Sequence, residues 1–209
     1  MAERISTVQE RRAMLIDIAL RHAKKGTGSS KEFLMKRTTK RKWTDLTPIL
    51  KPIKWAVVGG VATRLYAPER ATFDLDIVIS SQDGNTVREK MCETGFRFQR
   101  EIDIGRSSWR SQRGKSIDIL ELNTPWIEDA LFEAQTNRDK QGLPILPFPF
   151  LVLIKFQASR LIDFGDLSRM LGFADDKLIQ LTKAVFRQYE PTSMKDLENI
   201  IYLGKLELQ

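Results

Sequence analysis

Apolar residues at every second position predict β-strands in the middle of the chain. The segments 72–80 and 116–122 show this spacing most clearly, and a strand with a period of two can bury one face in a core. The short apolar run 55–58 is a further predicted strand, because Gly59 breaks it. The remaining predicted strands are residues 96–102 and 107–112.

Helical spacing of apolar residues predicts helices before, between and after these strands. Glycine or proline ends several of these segments, as at Gly26 and Pro191. The predicted helices are residues 3–25, 61–66, 86–94, 151–171, 175–189 and 193–203. This order of elements predicts an α+β fold: a mixed β-sheet with flanking helices, plus an N-terminal helical extension and a C-terminal helical bundle.

The predicted elements divide the chain into three parts. Residues 1–50 are a basic N-terminal helical extension, residues 51–125 the α+β core, and residues 126–209 a C-terminal helical region. Pro48 and Pro52 mark the entry to the core, since proline interrupts regular structure. A chain of 209 residues is long enough for one ordinary domain with helical appendages.

The composition excludes several kinds of chemistry. With one cysteine, Cys92, and one histidine, His22, the sequence offers neither an internal disulfide nor a cysteine–histidine zinc site. A bound metal would therefore need oxygen ligands, which favours Mg²⁺ or Mn²⁺. The sequence has no apolar run of membrane-spanning length and its N-terminus lacks the apolar core of a signal peptide, so we expect a cytoplasmic protein without a membrane partner.

Positive charge is concentrated toward the N-terminus. The whole chain has a formal net charge of +7, and residues 21–54 contain eleven Lys or Arg residues against two acidic ones. Such a segment attracts polyanions such as RNA or DNA. A solvated helix face followed by a basic linker is the alternative that needs no ligand.

Two acids in the segment 72–80 form the candidate catalytic pair. Asp74 and Asp76 are two residues apart, so a strand places both side chains on one face, opposite the apolar residues. Neighbouring carboxylates repel each other, and a divalent cation relieves that repulsion while it also binds phosphate oxygens. The pair therefore predicts metal-dependent phosphoryl transfer; the alternative is an exposed strand face that happens to bear two acids.

A glycine pair one helix before these acids is the candidate phosphate-binding turn. Gly59 and Gly60 lie between a predicted strand and a predicted helix, where the backbone can approach a phosphate closely. A purely structural turn would also use glycine here. Arg64, Arg70 and Thr72 are further candidates for contacts with a nucleotide.

Asp118 is a third candidate acid, within the apolar segment 116–122. An acid among apolar neighbours is costly unless it is paired or bound to a metal. Three roles stay open for Asp118: completing the metal site, activating an attacking hydroxyl as a general base, or forming an ion pair with Arg110 or Arg113.

Together these residues resemble a known superfamily. Segment 57–62, Val-Val-Gly-Gly-Val-Ala, and segment 70–76, Arg-Ala-Thr-Phe-Asp-Leu-Asp, resemble the nucleotidyltransferases that include DNA polymerase beta. The closer resemblance, over about residues 55–171, is to the AbiEii-like branch, the toxins of type IV toxin–antitoxin and abortive-infection systems. This resemblance implies an NTP substrate, an RNA acceptor such as a tRNA 3′ end, and a cognate antitoxin as a possible partner.

The resemblance also singles out a helix in the last third of the chain. Segment 153–167 is similar to a helix of that branch that bears a lysine and acids. It implies that Lys155 binds the triphosphate and that Asp166 orients this lysine or positions the acceptor. The helical spacing of Lys155, Asp163 and Asp166 also fits a structural ion pair between the lysine and either acid.

Two alternatives to an RNA nucleotidyltransferase stay open. The chain could transfer NMP to a protein or to a small molecule such as an aminoglycoside, although a cationic antibiotic would need an acidic pocket that this basic sequence does not indicate. It could also be a catalytically idle nucleotidyltransferase fold that binds RNA or a partner protein. The intact Asp74–Asp76 pair argues against an idle fold.

Overall fold

A computed structural model describes residues 7–26, 42–67, 72, 74–103 and 105–208. Its helices are α1 (Val8–His22), α2 (Thr47–Leu50), α3 (Gly59–Ala62), α4 (Gly84–Glu93), α5 (Ile127–Ala134), α6 (Phe148–Ala158), α7 (Leu161–Phe173), α8 (Asp176–Tyr189) and α9 (Met194–Glu207). Its strands are β1 (Ala56–Val57), β2 (Leu75–Ser80), β3 (Arg97–Asp103), β4 (Arg106–Arg110) and β5 (Ser116–Leu122). Short 3₁₀ helices span Thr63–Leu65, Ser81–Asp83 and Pro191–Ser193.

The described strands form one mixed sheet with the order β1-β2-β5-β4-β3. β2 and β5 are parallel neighbours, and the other neighbouring pairs are antiparallel. In the β2–β5 register, Asp76 is the Cα partner of Asp118. The sheet therefore places two acids that are distant in the sequence side by side.

One face of the sheet packs into an apolar core. Ile77, Ile117, Ile119 and Trp109 lie on this face and are at most 2% exposed. Helix α5 packs against β2, and helix α4 packs against β3. Because strand residues alternate between faces, Asp76 and its cross-strand neighbours lie on the opposite, polar face.

Contacts between residues divide the chain into two compact units. The sheet unit comprises the described residues of 37–147, and the helical unit comprises those of 1–36 and 148–209. In the helical unit, Arg12 of α1 is 4% exposed and donates to the Asp196 carboxylate of α9 at 3.2 Å. Arg12 also donates to the carbonyl oxygen of Phe156 in α6 at 3.3 Å, so α1 is joined to the last third of the chain.

The predicted α+β class, with a mixed sheet and flanking helices, is confirmed. Each predicted strand has a counterpart among β1–β5, but β2 begins at Leu75 rather than at Thr72. The predicted helix 61–66 is wrong in its bounds, because the chain turns into α3 at Gly59 and tightens into a 3₁₀ helix at Thr63. Within the described part of the chain, every helix is too short or too polar to span a bilayer.

The predicted single helix 151–171 is wrong. Helix α6 ends at Ala158 and α7 begins at Leu161. Between them Ser159 has a φ of 49°, in the left-handed region that right-handed helices do not contain. The apolar spacing continues across this break, so the spacing alone gave no sign of it.

The sheet unit spans residues 37–147, whereas the predicted core spans residues 51–125, and the three-part division of the chain stays a prediction. The segment after α5 belongs to the sheet unit because it returns to β1. There Val57 N–H donates to the Pro144 carbonyl oxygen at 2.7 Å, and Leu146 N–H donates to the Val57 carbonyl oxygen at 3.1 Å. Helix α1 covers the middle of the predicted helix 3–25, while residues 27–41 of the basic segment lie outside the described residues.

Candidate active site

Asp76 and Asp118 lie side by side on the polar face of the sheet. The register of β2 and β5 makes them Cα partners, and their side chains are 21% and 13% exposed. Arg106 of β4 places a single guanidinium nitrogen, Nη2, 2.8 Å from Asp76 Oδ1 and 3.1 Å from Asp118 Oδ2. One positive charge is therefore shared by two carboxylates that would otherwise repel each other.

Asp118 pairs with Arg106, not with either arginine that the sequence suggested. In the β4–β5 register Arg110 lies opposite Ser116, and Arg113 belongs to the turn between the two strands. Arg106, at the opposite end of β4 from Arg110, reaches Asp118 diagonally across the two strands. From the same position it also reaches the Asp76 carboxylate on β2. Sequence reasoning missed Arg106, because its pairing depends on strand register and no local motif marks it.

Gly59 packs directly on the Asp76 side chain. It begins helix α3 with a φ of 64°, in the left-handed region where a side chain is strained. A Cβ atom at this position would overlap the Asp76 carboxylate and would lie 2.8 Å from the Asp76 Cβ. The N–H of Val58 donates to the Asp76 carbonyl oxygen at 2.9 Å, and Gly60 is buried within α3. The glycine turn is therefore held against one of the candidate catalytic acids.

Asp74 lies immediately before β2 and is exposed. Because β2 begins one residue later, the alternation of side chains along a strand does not determine which face the Asp74 side chain is on. Among the residues that the structure describes, no three His, Cys, Asp or Glu side chains form a group that could hold a metal ion. The structure thus brings Asp76 and Asp118 together without adding Asp74 as a third ligand, and the role of Asp74 in metal binding stays a prediction.

The three further candidates for nucleotide contacts have different surroundings. Arg64 forms an ion pair with Asp139, and the two side chains are 12% and 4% exposed. Thr72 is half-buried, and its hydroxyl donates to the Asp74 carbonyl oxygen at 3.4 Å. Arg70 lies outside the described residues. Arg64 therefore has a partner within the sheet unit, and the nucleotide-binding roles of all three stay predictions.

Lys155 and Asp166 belong to the helical unit, where both are buried. Lys155 Nζ lies 2.7 Å from Asp166 Oδ2 and 3.8 Å from Asp163 Oδ1. Arg160 in turn donates to both carboxylate oxygens of Asp163, at 2.6 and 3.1 Å. The structural ion pair considered for the lysine is therefore present, and the roles of Lys155 and Asp166 toward a nucleotide or acceptor stay predictions.

The acids on the sheet suit a hard divalent cation. Asp76 and Asp118 offer carboxylate oxygens, the ligands that Mg²⁺ and Mn²⁺ prefer. Because one guanidinium nitrogen reaches an oxygen of each carboxylate, a single cation can interact with both acids at once. A divalent metal and Arg106 would compete for these same oxygens.

No protein-family model and no curated protein sequence matches this chain. Among solved structures, the lincosamide antibiotic adenylyltransferase LnuA with bound lincomycin is similar over 62% of this chain and 92% of its own, at 17% identity and a TM-score of 0.44. ANT(2")-Ia in complex with adenylyl-2"-tobramycin is similar over 72% of this chain and 87% of its own, at 13% identity and a TM-score of 0.41. Terminal uridylyl transferase 4 from Trypanosoma brucei with bound GTP is similar over 88% of this chain and 58% of its own, at 8% identity and a TM-score of 0.28. Similarity at this level carries no inference about activity, so the function is inferred from the site's own residues.

Proposed function

We propose that this protein is a metal-dependent nucleotidyltransferase, which transfers NMP from an NTP to an acceptor hydroxyl. The observation that carries the proposal is the pair of carboxylates on adjacent strands, Asp76 and Asp118, with the Gly59 turn packed against Asp76. Paired carboxylates suit a substrate whose phosphates are neutralised by a divalent cation. Catalysis of this kind depends on positioning and on charge stabilisation.

The site residues have separate roles in this proposal. Asp74, Asp76 and Asp118 would hold Mg²⁺ or Mn²⁺, which when bound supplies positive charge to the phosphate oxygens. Gly59 and Gly60 would let the phosphates approach the backbone, since neither has a side chain in the way.

The remaining candidates would bind the rest of the nucleotide. Arg64, Arg70, Thr72 and Lys155 would contact its phosphates, and Asp166 would orient the lysine through the ion pair at 2.7 Å. Arg64 would have to exchange its partner Asp139 for the nucleotide, which would cost the energy of that ion pair.

The reaction forms one bond and breaks one bond at the α-phosphorus of the NTP. The acceptor hydroxyl oxygen bonds to this phosphorus, the bond to the oxygen that bridges to the β-phosphate breaks, and pyrophosphate leaves with that electron pair. Asp118 has two possible roles, metal ligand or general base that takes the hydroxyl proton.

RNA is the proposed acceptor, and a toxin of the AbiEii-like branch is the proposed biological role. The resemblance of segments 57–62 and 70–76 supports the branch, and the basic segment 21–54 supports a polyanionic acceptor. A cognate antitoxin would then be the protein partner.

The test is transfer of label from each α-³²P-labelled NTP to total tRNA in the presence of Mg²⁺. We expect labelled RNA with one nucleotide, and a loss of about a hundredfold or more in the variant Asp74→Ala/Asp76→Ala. The matched control is Asp129→Ala/Glu133→Ala, which removes two exposed acids from α5 in the same unit and should keep full activity.

Other outcomes would redirect or end the proposal. Label on the protein instead of the RNA would indicate nucleotidylylation of a protein acceptor. Measurable binding of NTP with Mg²⁺ but no labelled product would favour a small-molecule acceptor or an idle fold. Equal activity in the Asp74→Ala/Asp76→Ala variant would refute the assignment of these acids.

A further inference from the structure

Besides Arg106, the polar face of the sheet bears three more arginines on β3 and β4. Arg110 shares this face with Arg106, because the two residues are four positions apart on one strand. Arg97 is the Cα partner of Arg110, and Arg100 is the Cα partner of Ser108. Since cross-strand partners share a face, all four arginines lie on the face that holds the candidate catalytic acids.

Arg97, Arg100 and Arg110 are exposed, and none forms an ion pair with another described residue. Arg97 lies directly opposite Arg110, an arrangement in which like charges repel and weaken the sheet. The acid on this face of β3, Asp103, lies at the other end of the strand, opposite Arg106. An anionic ligand lying across this surface would remove the repulsion.

We propose that the strip formed by Arg97, Arg100 and Arg110, here called the arginine strip, binds the phosphate backbone of an RNA acceptor. RNA on this strip would be led along β4 toward the two carboxylates beside Arg106. The proposal rests on the proposed transferase function, because it assigns the acceptor site of that reaction.

The chemistry of the strip favours a polyanion over the other acceptor classes. Guanidinium groups bind phosphate oxygens through paired N–H donors, and a cationic acceptor would be repelled. The stretch of β4 between Arg110 of the strip and Arg106 beside the carboxylates is about 14 Å long at the usual rise of a strand. That length matches several successive backbone phosphates of one strand, which are about 3.4 Å apart along a duplex axis.

The test is equilibrium binding of a fluorescein-labelled oligouridylate of about 15 nucleotides, measured by anisotropy without NTP or metal. The variant Arg97→Gln/Arg100→Gln/Arg110→Gln removes three charges from the strip. The control Arg11→Gln/Lys177→Gln/Arg187→Gln removes three charges from exposed residues of the helical unit. Both variants should melt close to the wild type, because none of the six side chains is buried.

We expect the strip variant to bind the RNA about tenfold or more weakly, while the control variant binds like the wild type. The slope of log Kd against log salt should also fall by about 2, since each lost phosphate contact contributes about 0.7 with a single strand. Unchanged affinity and slope in the strip variant would overturn the proposal, as would an equal loss in the control.

Two further measurements separate this surface from the transferase function itself. The affinity for NTP with Mg²⁺ should be unchanged in the strip variant; a loss there with RNA binding intact would assign the strip to the triphosphate and overturn the proposal. The variant Asp74→Ala/Asp76→Ala should lose transfer and keep RNA binding. Strip-dependent RNA binding by a wild type that transfers no nucleotide would leave the surface supported and the proposed function refuted.

Discussion

Arg106 places one guanidinium nitrogen between two carboxylates, Asp76 and Asp118, that come from adjacent strands. Replacing it in Arg106→Gln removes this shared positive charge, so we expect a loss of about 1–3 kcal/mol in the free energy of unfolding without metal. Mg²⁺ should recover more stability in this variant than in the wild type, because it no longer competes with a guanidinium. Urea unfolding with and without Mg²⁺ measures both effects.

The control for this experiment is Arg110→Gln, on the same strand and the same face. Arg110 forms no ion pair with a described residue, so its loss should not lower the stability and should leave the response to Mg²⁺ as in the wild type. If Mg²⁺ stabilises Arg106→Gln no more than it stabilises the wild type, the arginine and the metal do not share the same oxygens.

Gly59 combines a left-handed backbone with direct contact to the Asp76 side chain. A Gly59→Ala substitution should therefore cost about 1–2 kcal/mol for the backbone, and should also displace the carboxylate. Gly114→Ala is the matched control, because Gly114 has a φ of 75° and nothing within 4 Å of an added Cβ. We expect both variants to lose stability and Gly59→Ala alone to lose nucleotide transfer; equal activity in the two would show that the contact with Asp76 is unimportant.

At the residue scale, a local pattern was enough to select candidates. The two glycines and the acid of β2 were selected from the sequence, and the structure places Gly59 against Asp76, while their roles stay predictions. The partner of Asp118 could not be identified, because strand register decides it and a shift of two residues would have selected another arginine. Asp74 was predicted to lie inside the strand, yet β2 begins one residue after it.

At the scale of elements, helices α7 and α9 approach closely at a pair of glycines. A Cβ on Gly204 would overlap the backbone carbonyl oxygen of Ser168 and would lie 2.8 Å from the Gly172 nitrogen. Gly204→Ala should therefore force the helices apart and lower the free energy of unfolding by about 1–3 kcal/mol. In Gly165→Ala, on the same helix α7, an added Cβ meets nothing within 4 Å, so we expect a gain of about 0.5–1 kcal/mol from helix propensity.

If the close approach is real, thermal or urea unfolding should show that Gly204→Ala is less stable than the wild type and that Gly165→Ala is more stable. A Gly204→Ala variant as stable as Gly165→Ala would show that α7 and α9 can separate without loss. The predicted helices ended at residues 171 and 203, one residue before Gly172 and Gly204, and the sequence did not predict that the two helices cross there. Glycine in a helix is compatible with both a close contact and an open face, and packing decides between them.

Element prediction was reliable where periodicity and breakers agreed. The strands and the helix α4 follow their apolar spacing within a few residues. The long helix of the last third was wrong because Ser159 breaks it with a left-handed backbone that a serine seldom adopts. The break is stabilised by its surroundings: the Ser159 hydroxyl donates to the Phe156 carbonyl oxygen at 2.5 Å and accepts from Arg12 at 3.4 Å.

At the scale of the whole molecule, α1 and the last third of the chain form one unit although they are distant in the sequence. Arg12 joins them: besides its bonds to α6 and α9, it donates to the Ser193 hydroxyl at 3.1 Å and lies 3.8 Å from the centre of the Phe156 ring. The sequence did not predict that Arg12 joins these helices, because nothing in it distinguishes an arginine that is buried from the other cations of a basic helix.

We therefore expect the loss of stability on replacing Arg12 to be confined to the helical unit. Arg12→Met leaves the Asp196 carboxylate without its cation, so we expect the helical unit to lose about 2–4 kcal/mol of stability. Hydrogen exchange should then speed up in α1, α6 and α9, while the amides of β2 and β5 keep their wild-type protection, because the sheet has its own core. Arg11→Met, one residue earlier and exposed, should change neither set of amides. Faster exchange across both units in Arg12→Met would mean that they unfold together as one cooperative body, despite their separate contacts.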